Sequence, residues 1–413
     1  IQGRGFAPFI ETVNGASTPL PGVDDRSEIS ISGLYIQQNF KLKNQFFLTG
    51  AVRRDASSVF GANQRNQIYS KASASYVISS TDFWNELAIA KAFDLVKIRL
   101  AYGESGNLTG IGAYSRFNTY SSNSFLGRSA LNSSSTLANE NVKPERQSEI
   151  EYGLDLGMLN NRIGLTVNVY NKKVTDVLIN RQLAPTNGFA SLLDNFGALE
   201  NRGYEFVLNT QNTVGAFKWN TSFNVALNQG KVTNIQGQVI EGGVGSMNRV
   251  QEGSAIGVFF TAEWAGVDPA NGNALWYKNT KLADGTIDRS TTSVFSQATR
   301  IVTGDPNPDV IFGLTNNFSF KGFDATIFFN GVAGNQNNIY GMGRYSSANM
   351  RYEDNQTYDQ MARWQKPGDI TDVPKMRWSS SATLTGSATS TRFLYDGDYV
   401  RLRDLVVGFN IPK

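Results

Sequence analysis

The groups in this chain best suited to chemistry are acids. Glu149, Glu151 and Asp155 stand two and four residues apart, between Arg146 and Arg162. Two carboxylates can divide acid and base work on a glycosidic bond. On a β-strand, positions two and four apart share one face. The same acids therefore fit a hydrated wall with charge pairs to neighbouring strands, and that reading is preferred. Gly103-Glu104-Ser105-Gly106-Asn107 follows the strand-like Val96–Tyr102. A phosphate-cradling loop must lead into a helix opening on Lys-Ser/Thr. None follows, so these residues read as a turn leaving a strand. Asp268-Pro269-Ala270-Asn271-Gly272-Asn273 spaces its oxygens like a Ca²⁺ loop, but Thr280 stands where the twelfth-position Glu belongs. Asp-Pro and Asn-Gly are turn signals. Cys and His are absent. That excludes disulfides, Cys/His metal centres and Ser-His-Asp or Cys-His catalysis. No catalytic residue, metal ligand or cofactor is assigned, and the chain is not read as an enzyme.

Aromatic rings offer a different chemistry, stacking on sugars or peptide side chains. The candidates for substrate binding are Trp264, Trp276, Tyr277, Tyr345 and Trp364. For any one ring the competing use is packing the loops together or sitting at a membrane interface.

The elements that must position these groups are strands. Of 413 residues, 12% are aromatic and 40 are Gly, against 11 Pro, a balance that favours strands and turns. The net charge of +3 comes from 38 basic and 35 acidic residues, which leaves no nucleic-acid footprint. Ile163, Leu165, Val167 and Val169 alternate with Gly164, Thr166, Asn168 and Tyr170. Phe217, Trp219, Phe223, Val225 and Leu227 alternate with Lys218, Asn220, Ser222, Asn224 and Asn228. Ser148–Met158 and Leu34–Lys43 repeat the pattern. Such strands run to about 10 residues, as a tilted strand crossing a bilayer must. The apolar faces begin or end on aromatics, as a girdle would. No apolar run is long enough for a transmembrane helix, a test to which barrels are blind.

The connections are lopsided. Tight turns are expected at Lys43–Asn44, Asn160–Asn161, Val214–Ala216 and Lys321–Phe323. Long polar connections are expected at the opposite strand ends: Ala56–Asn66, Asn180–Gly197, Gly230–Gly253 and Ala333–Ser390. Short turns at one end and long loops at the other mark an outer-membrane barrel. Asp82–Phe93 reads as one short helix between strands. The fold class is all-β, an antiparallel transmembrane β-barrel, with about twelve strands by alternation. The chain begins at Ile1 and ends at Lys413, just past the strand-like Val400–Phe409. The expectation is a single barrel domain over residues 1–413, an arc of a larger barrel. A soluble sandwich is the alternative, with shorter strands and loops not segregated by length.

Several segments resemble the SusC/RagA family of TonB-dependent outer-membrane transporters of Bacteroidetes. They are Thr49–Phe60, Val96–Asn107, Val142–Leu156, Ile163–Val177, Asn195–Phe206, Gly266–Tyr277, Gly304–Phe320 and Tyr395–Pro412, in the family's order. The resemblance implies a 22-stranded barrel plugged by an N-terminal domain, with plug, TonB box and last strands outside this chain. It implies the outer membrane of a Gram-negative bacterium and active import of oligosaccharides or peptides. The partners it implies are outer-membrane lipid, a SusD-like lipoprotein lid and TonB. Competing readings are a passive porin, a siderophore-type transporter and a scaffold in a secretion or surface complex.

Overall fold

The computed structural model describes residues 2–6, 16–20, 27–108, 110–125, 128–243, 246–338, 356–377, 381 and 383–411. Eleven strands follow one another in space as they do in sequence: β1 (Ile31–Leu42), β2 (Phe46–Ser57), β3 (Asn66–Val77), β4 (Phe93–Asn107), β5 (Glu145–Met158), β6 (Ile163–Gln182), β7 (Ser191–Thr213), β8 (Phe217–Asn234), β9 (Val310–Phe320), β10 (Phe323–Ala333) and β11 (Tyr399–Phe409). Thr136–Leu137 pairs with β7 off this path, making a 12-stranded sheet among the described residues. Every step along the path is antiparallel. The expected arc of about twelve strands is present.

The turn residues act as their types require. Lys43 and Asn44 both adopt positive φ, as do Lys321 and Gly322. Lys321–Gly322 is a two-residue hairpin, and Lys43–Asn44 is the centre of a β-turn closed from Gln45 N–H to the Leu42 carbonyl; turns of this hand need positive φ at both central positions. Asn160 and Asn161 do the same between β5 and β6. The connection from β3 to β4 lies at this turn end as well, because Tyr76 pairs with Phe46. There the expected single helix is broken into a turn of α-helix, Asp82–Asn85, and a 3₁₀ turn, Ala88–Lys91.

Register carries side chains of one kind across the whole wall. Phe40, Leu48, Ala74, Leu100, Tyr152, Val169, Tyr204, Leu227 and Val310 are successive cross-strand partners. A second apolar row runs through Leu156, Leu165, Leu208, Phe223, Leu314 and Phe329. Leu48, Leu100, Tyr152 and Tyr204 of this face are exposed, which suits hydrocarbon rather than water. At the turn end, rings cluster as a girdle. Phe217 and Trp219 stack on Phe318 at 6.2 and 5.8 Å, and Phe323 meets Phe409 at 4.4 Å. At the other limit Tyr204 is followed by the polar row Asn171–Arg202–Gln229. β9, β10 and β11 are each 11 residues long, close to the ~9–11 that cross a bilayer. β6, β7 and β8, at 20, 23 and 18 residues, continue beyond that band.

Three expectations about connections need correction. The ladder runs through Gly103–Asn107, with Glu104 opposite Ser148, so these residues are strand and not an exit turn. Asn180–Gly197 is mostly strand, since β6 and β7 close over 183–190 alone. The connection expected to start at Gly230 starts after Asn234 and extends to β9. In each case strand pairing continues past the membrane, where hydrophobic alternation no longer reports it.

The buried core lies at the loop end. Val59, Phe60 and Val142 pack with Leu178 and Leu193. Phe196, Val232 and Ile235 pack with Ile179 and Val250. A third cluster, around Trp276, lies within the loops.

Candidate functional site

The polar face of the wall is built from charge pairs between strands. Arg99 on β4 faces Gly153 on β5, and the missing Cβ at Gly153 leaves room for its guanidinium. From there it reaches Asp155 with two bonds, 2.9 and 3.0 Å, and Asn168 on β6 at 2.8 Å. Glu151 lies at 3.4 Å and Lys97 is 3.8 Å from Asp155. Of the acids noted in the sequence, Glu151 and Asp155 thus spend their charge on Arg99 across the strand pair, which does not leave them as a free acid and base.

Above the band, the segment 235–309 folds upon itself. One antiparallel sheet joins Ile240–Gly242, Asn248–Val250, Val258–Thr261 and Ile301–Gly304. Another joins Trp264–Val267, Ala274–Tyr277 and Thr291–Thr292. The segment 356–396 completes this unit. Ala388 enters the cluster of Ala262, Ala274 and Trp276, and Ser390 bridges to Ala262. Thr391 N–H donates to the Ala262 carbonyl at 3.0 Å. Arg392 lies 5.1 Å from the Trp264 ring, and burial pulls its guanidinium down to about 10.

The structure places the five aromatic candidates as follows. Trp276 is fully buried, edge-to-face with Trp264 at 5.7 Å and Phe295 at 5.1 Å. It has no free face for a ligand and works as the loop unit's core. Tyr277 carries the Arg289 guanidinium 4.2 Å over its ring. Arg289 in turn holds both oxygens of Glu263 at 2.6 and 2.8 Å, and that pairing lowers the Glu263 carboxyl below its usual range. Trp364 lies against Gly272, donates from Nε1 to the Pro269 carbonyl at 3.0 Å and carries Lys375 at 5.6 Å. Tyr345 lies outside the described residues.

The Asp268–Asn273 turn is also accounted for. Asp268 accepts from Ala270 N–H and the Asn271 amide, Asn271 accepts from Asn273 N–H, and Asn273 accepts from Arg377. The Asp268 and Asn271 side-chain oxygens are used within the turn, and that of Asn273 by Arg377.

A cleft of about 820 Å³ opens at the loop end beside β8. Such a volume lies within the ~300–1,000 Å³ usual for ligand sites. Tyr170, Lys172, Asn228, Lys231, Ile256 and Asp309 are among its lining residues. β8 pairs with β9 only from Phe217 to Leu227; beyond that its edge on this side is met by Asp309 at Asn228 and by Gly253 and Ser254 at Val232. The Tyr170 ring covers Gly203, and its hydroxyl donates to Asn228. Aromatic candidates in the loops did not point to this cleft. The sequence carries no alternation signal for it, because the apolar series ends at Leu227 and continues on the same face as Gln229 and Lys231.

Comparison with known proteins agrees with this architecture. The family described as TonB dependent receptor-like, beta-barrel matches residues 4–413. TonB-dependent receptor P3 of Formosa agariphila is 28% identical over 94% of this chain and 39% of its own length. TonB-dependent receptor SusC of Bacteroides thetaiotaomicron is 28% identical over 69% of this chain and 29% of its own length. The structure of the RagAB peptide transporter superposes with a TM-score of 0.83 at 23% identity, over 98% of this chain and 44% of that one. The chain thus spans about two fifths of the length of receptor P3.

Proposed function

The chain belongs to the TonB dependent receptor-like β-barrel family, and on that premise we propose that it forms wall and mouth of an outer-membrane importer. The protein takes up oligosaccharides or peptides across the outer membrane of a Gram-negative bacterium. TonB supplies the energy, and a SusD-like surface lipoprotein closes the mouth. Residues 1–413 act as one barrel domain in this reading. The observation that carries it is the wall itself: an apolar outer face, an ion-paired opposite face and a folded loop unit above one rim. The similarity to SusC and to the RagAB peptide transporter supports the same reading. Trp264, Tyr277 and Trp364, each half-buried, are the loop rings with surface left for substrate, whereas Trp276 acts by packing.

The test is uptake by cells making the full-length protein, with and without functional TonB, offered labelled peptide and oligosaccharide mixtures. TonB-dependent entry of either class is expected. Entry independent of TonB, as in liposome swelling by small solutes, would instead indicate a passive pore.

A further inference from the structure

The edge of β8 above the membrane band is only partly satisfied. Asn228 N–H donates to the Asp309 carbonyl at 3.2 Å. Val232 N–H donates to the Ser254 carbonyl at 2.8 Å, and its own carbonyl accepts from Gly253 N–H. Both residues therefore turn their main-chain groups away from β7. The register with β7 runs unbroken from Asn228 to Val232. Main-chain groups alternate sides along an antiparallel strand, so Gly230 turns its N–H and C=O to the same side. Among the described residues neither group has a partner, and Gly230 lines the cleft. A Cβ built on Gly230 would meet nothing within 4 Å.

We infer that this cleft takes an extended peptide, which forms a short β-bridge to β8 at Gly230, in the gap between Asp309 and Gly253–Ser254. One residue of the guest would give and take a hydrogen bond with Gly230, as strands do when they extend a sheet edge. Lys172, Lys231 and Asp309 also line the cleft, with no ion-pair partner among the described residues. Both signs of charge suit the mixed side chains and termini of a peptide, and an uncharged glycan leaves them unused. This inference rests on the import reading and narrows its substrate class.

The experiment uses the full-length transporter purified with its native partner. The probes are a tryptic digest of casein and a maltodextrin mixture, with retained species identified by mass spectrometry. Wild-type protein is expected to retain peptides. Gly230→Pro removes the free N–H without removing a bond to β7, and should cut retention about tenfold, the worth of one good hydrogen bond. Gly230→Ala keeps the N–H and should retain peptides as wild type does. A retained peptide resynthesised with one N-methylated amide at a time should lose binding at one position. That series uses the unaltered chain, so it decides the matter even where the Pro variant does not form a barrel. Full retention by a folded Gly230→Pro barrel, tolerance of N-methylation at every position, retention of maltodextrins alone, or retention of neither probe would each overturn the inference. TonB-dependent uptake is scored separately. If it persists while these outcomes fail, import stands without the bridge at Gly230; if it is absent in wild type, the import reading falls.

Discussion

The side-chain amide of Asn195 holds the main chain of Lys143 in both directions. Its Oδ1 accepts from the Lys143 N–H at 2.9 Å, and its Nδ2 donates to the Lys143 carbonyl at 2.8 Å. The same Nδ2 donates to the carbonyl of Asp176, which sits at φ 57° where the β6–β7 register shifts. Lys143 Nζ closes the circuit on the Asp176 carboxylate at 2.9 Å. One amide thus stands in for a strand partner and ties the connection preceding β5 to an irregularity in β6.

Asn195→Ala is expected to leave those main-chain groups unpaired, at a local cost of about 1–3 kcal/mol. Hydrogen exchange at Lys143 N–H should speed up while the β9–β10 ladder is unchanged. Unchanged protection at Lys143 would show that the amide is not what holds it.

Trp276→Ala should empty the centre of the loop unit. Large-to-small changes of this kind cost about 3–5 kcal/mol. The expected outcome is rapid proteolysis within 235–309 and 356–396, with the heat-modifiable gel mobility of the barrel retained. Collapse of the barrel together with the loops would mean that the two are one cooperative unit.

Leu208→Arg puts a charge on the apolar face, in the row of Leu165 and Phe223. Depth-dependent costs on lipid faces reach about 2–4 kcal/mol near mid-bilayer. Asn209→Arg, one residue on and on the opposite face, should be close to neutral. Equal losses of folded protein in a denaturant titration in lipid vesicles would place the apolar face elsewhere.

The loop unit should loosen in acid. The Glu263 carboxyl is lowered from 4.5, chiefly by its hydrogen bond with Arg289. A lowered acid contributes stability that is present above its unfolded value and lost as pH falls through its folded value. The contribution is therefore whole at neutral pH and fades below about 4.5. Glu263→Gln should flatten part of the acid-induced change in tryptophan fluorescence. Other acids of the same segment, Glu241 and Glu252 among them, are lowered too, so the difference between variant and wild type is the quantity to read. Identical pH profiles would remove Glu263 from the account.

The wall was legible in the sequence because membrane-crossing strands must alternate. Ile163–Val169 and Phe217–Leu227 pair as their patterns imply. The tight turns were legible because Lys43–Asn44 and Lys321–Gly322 lie where positive φ is needed. Legibility fades above Tyr204. Both faces there meet water or loops, so Glu200, Arg202 and Lys231 in strand resemble residues in a loop. The loop rings were visible as aromatics, but their roles were not. A buried Trp276 and an accessible ring read alike until the partners Ala262, Ala388 and Phe295, distant in sequence, are brought together. The cleft at Gly230 was hidden for a related reason, since a free strand edge is a property of what fails to pair.

The shared core of 235–309 and 356–396 bears on how such proteins diversify. Trp276 from one segment and Ala388 from the other fill a common interior, and Pro269 in the first accepts bonds from Trp364 and Gly368 in the second. Neither segment can be exchanged for a relative's without leaving half an interior exposed. The two behave as one cassette: a chimera that transplants both should fold, and recombination between them, within β9 or β10, would be selected against.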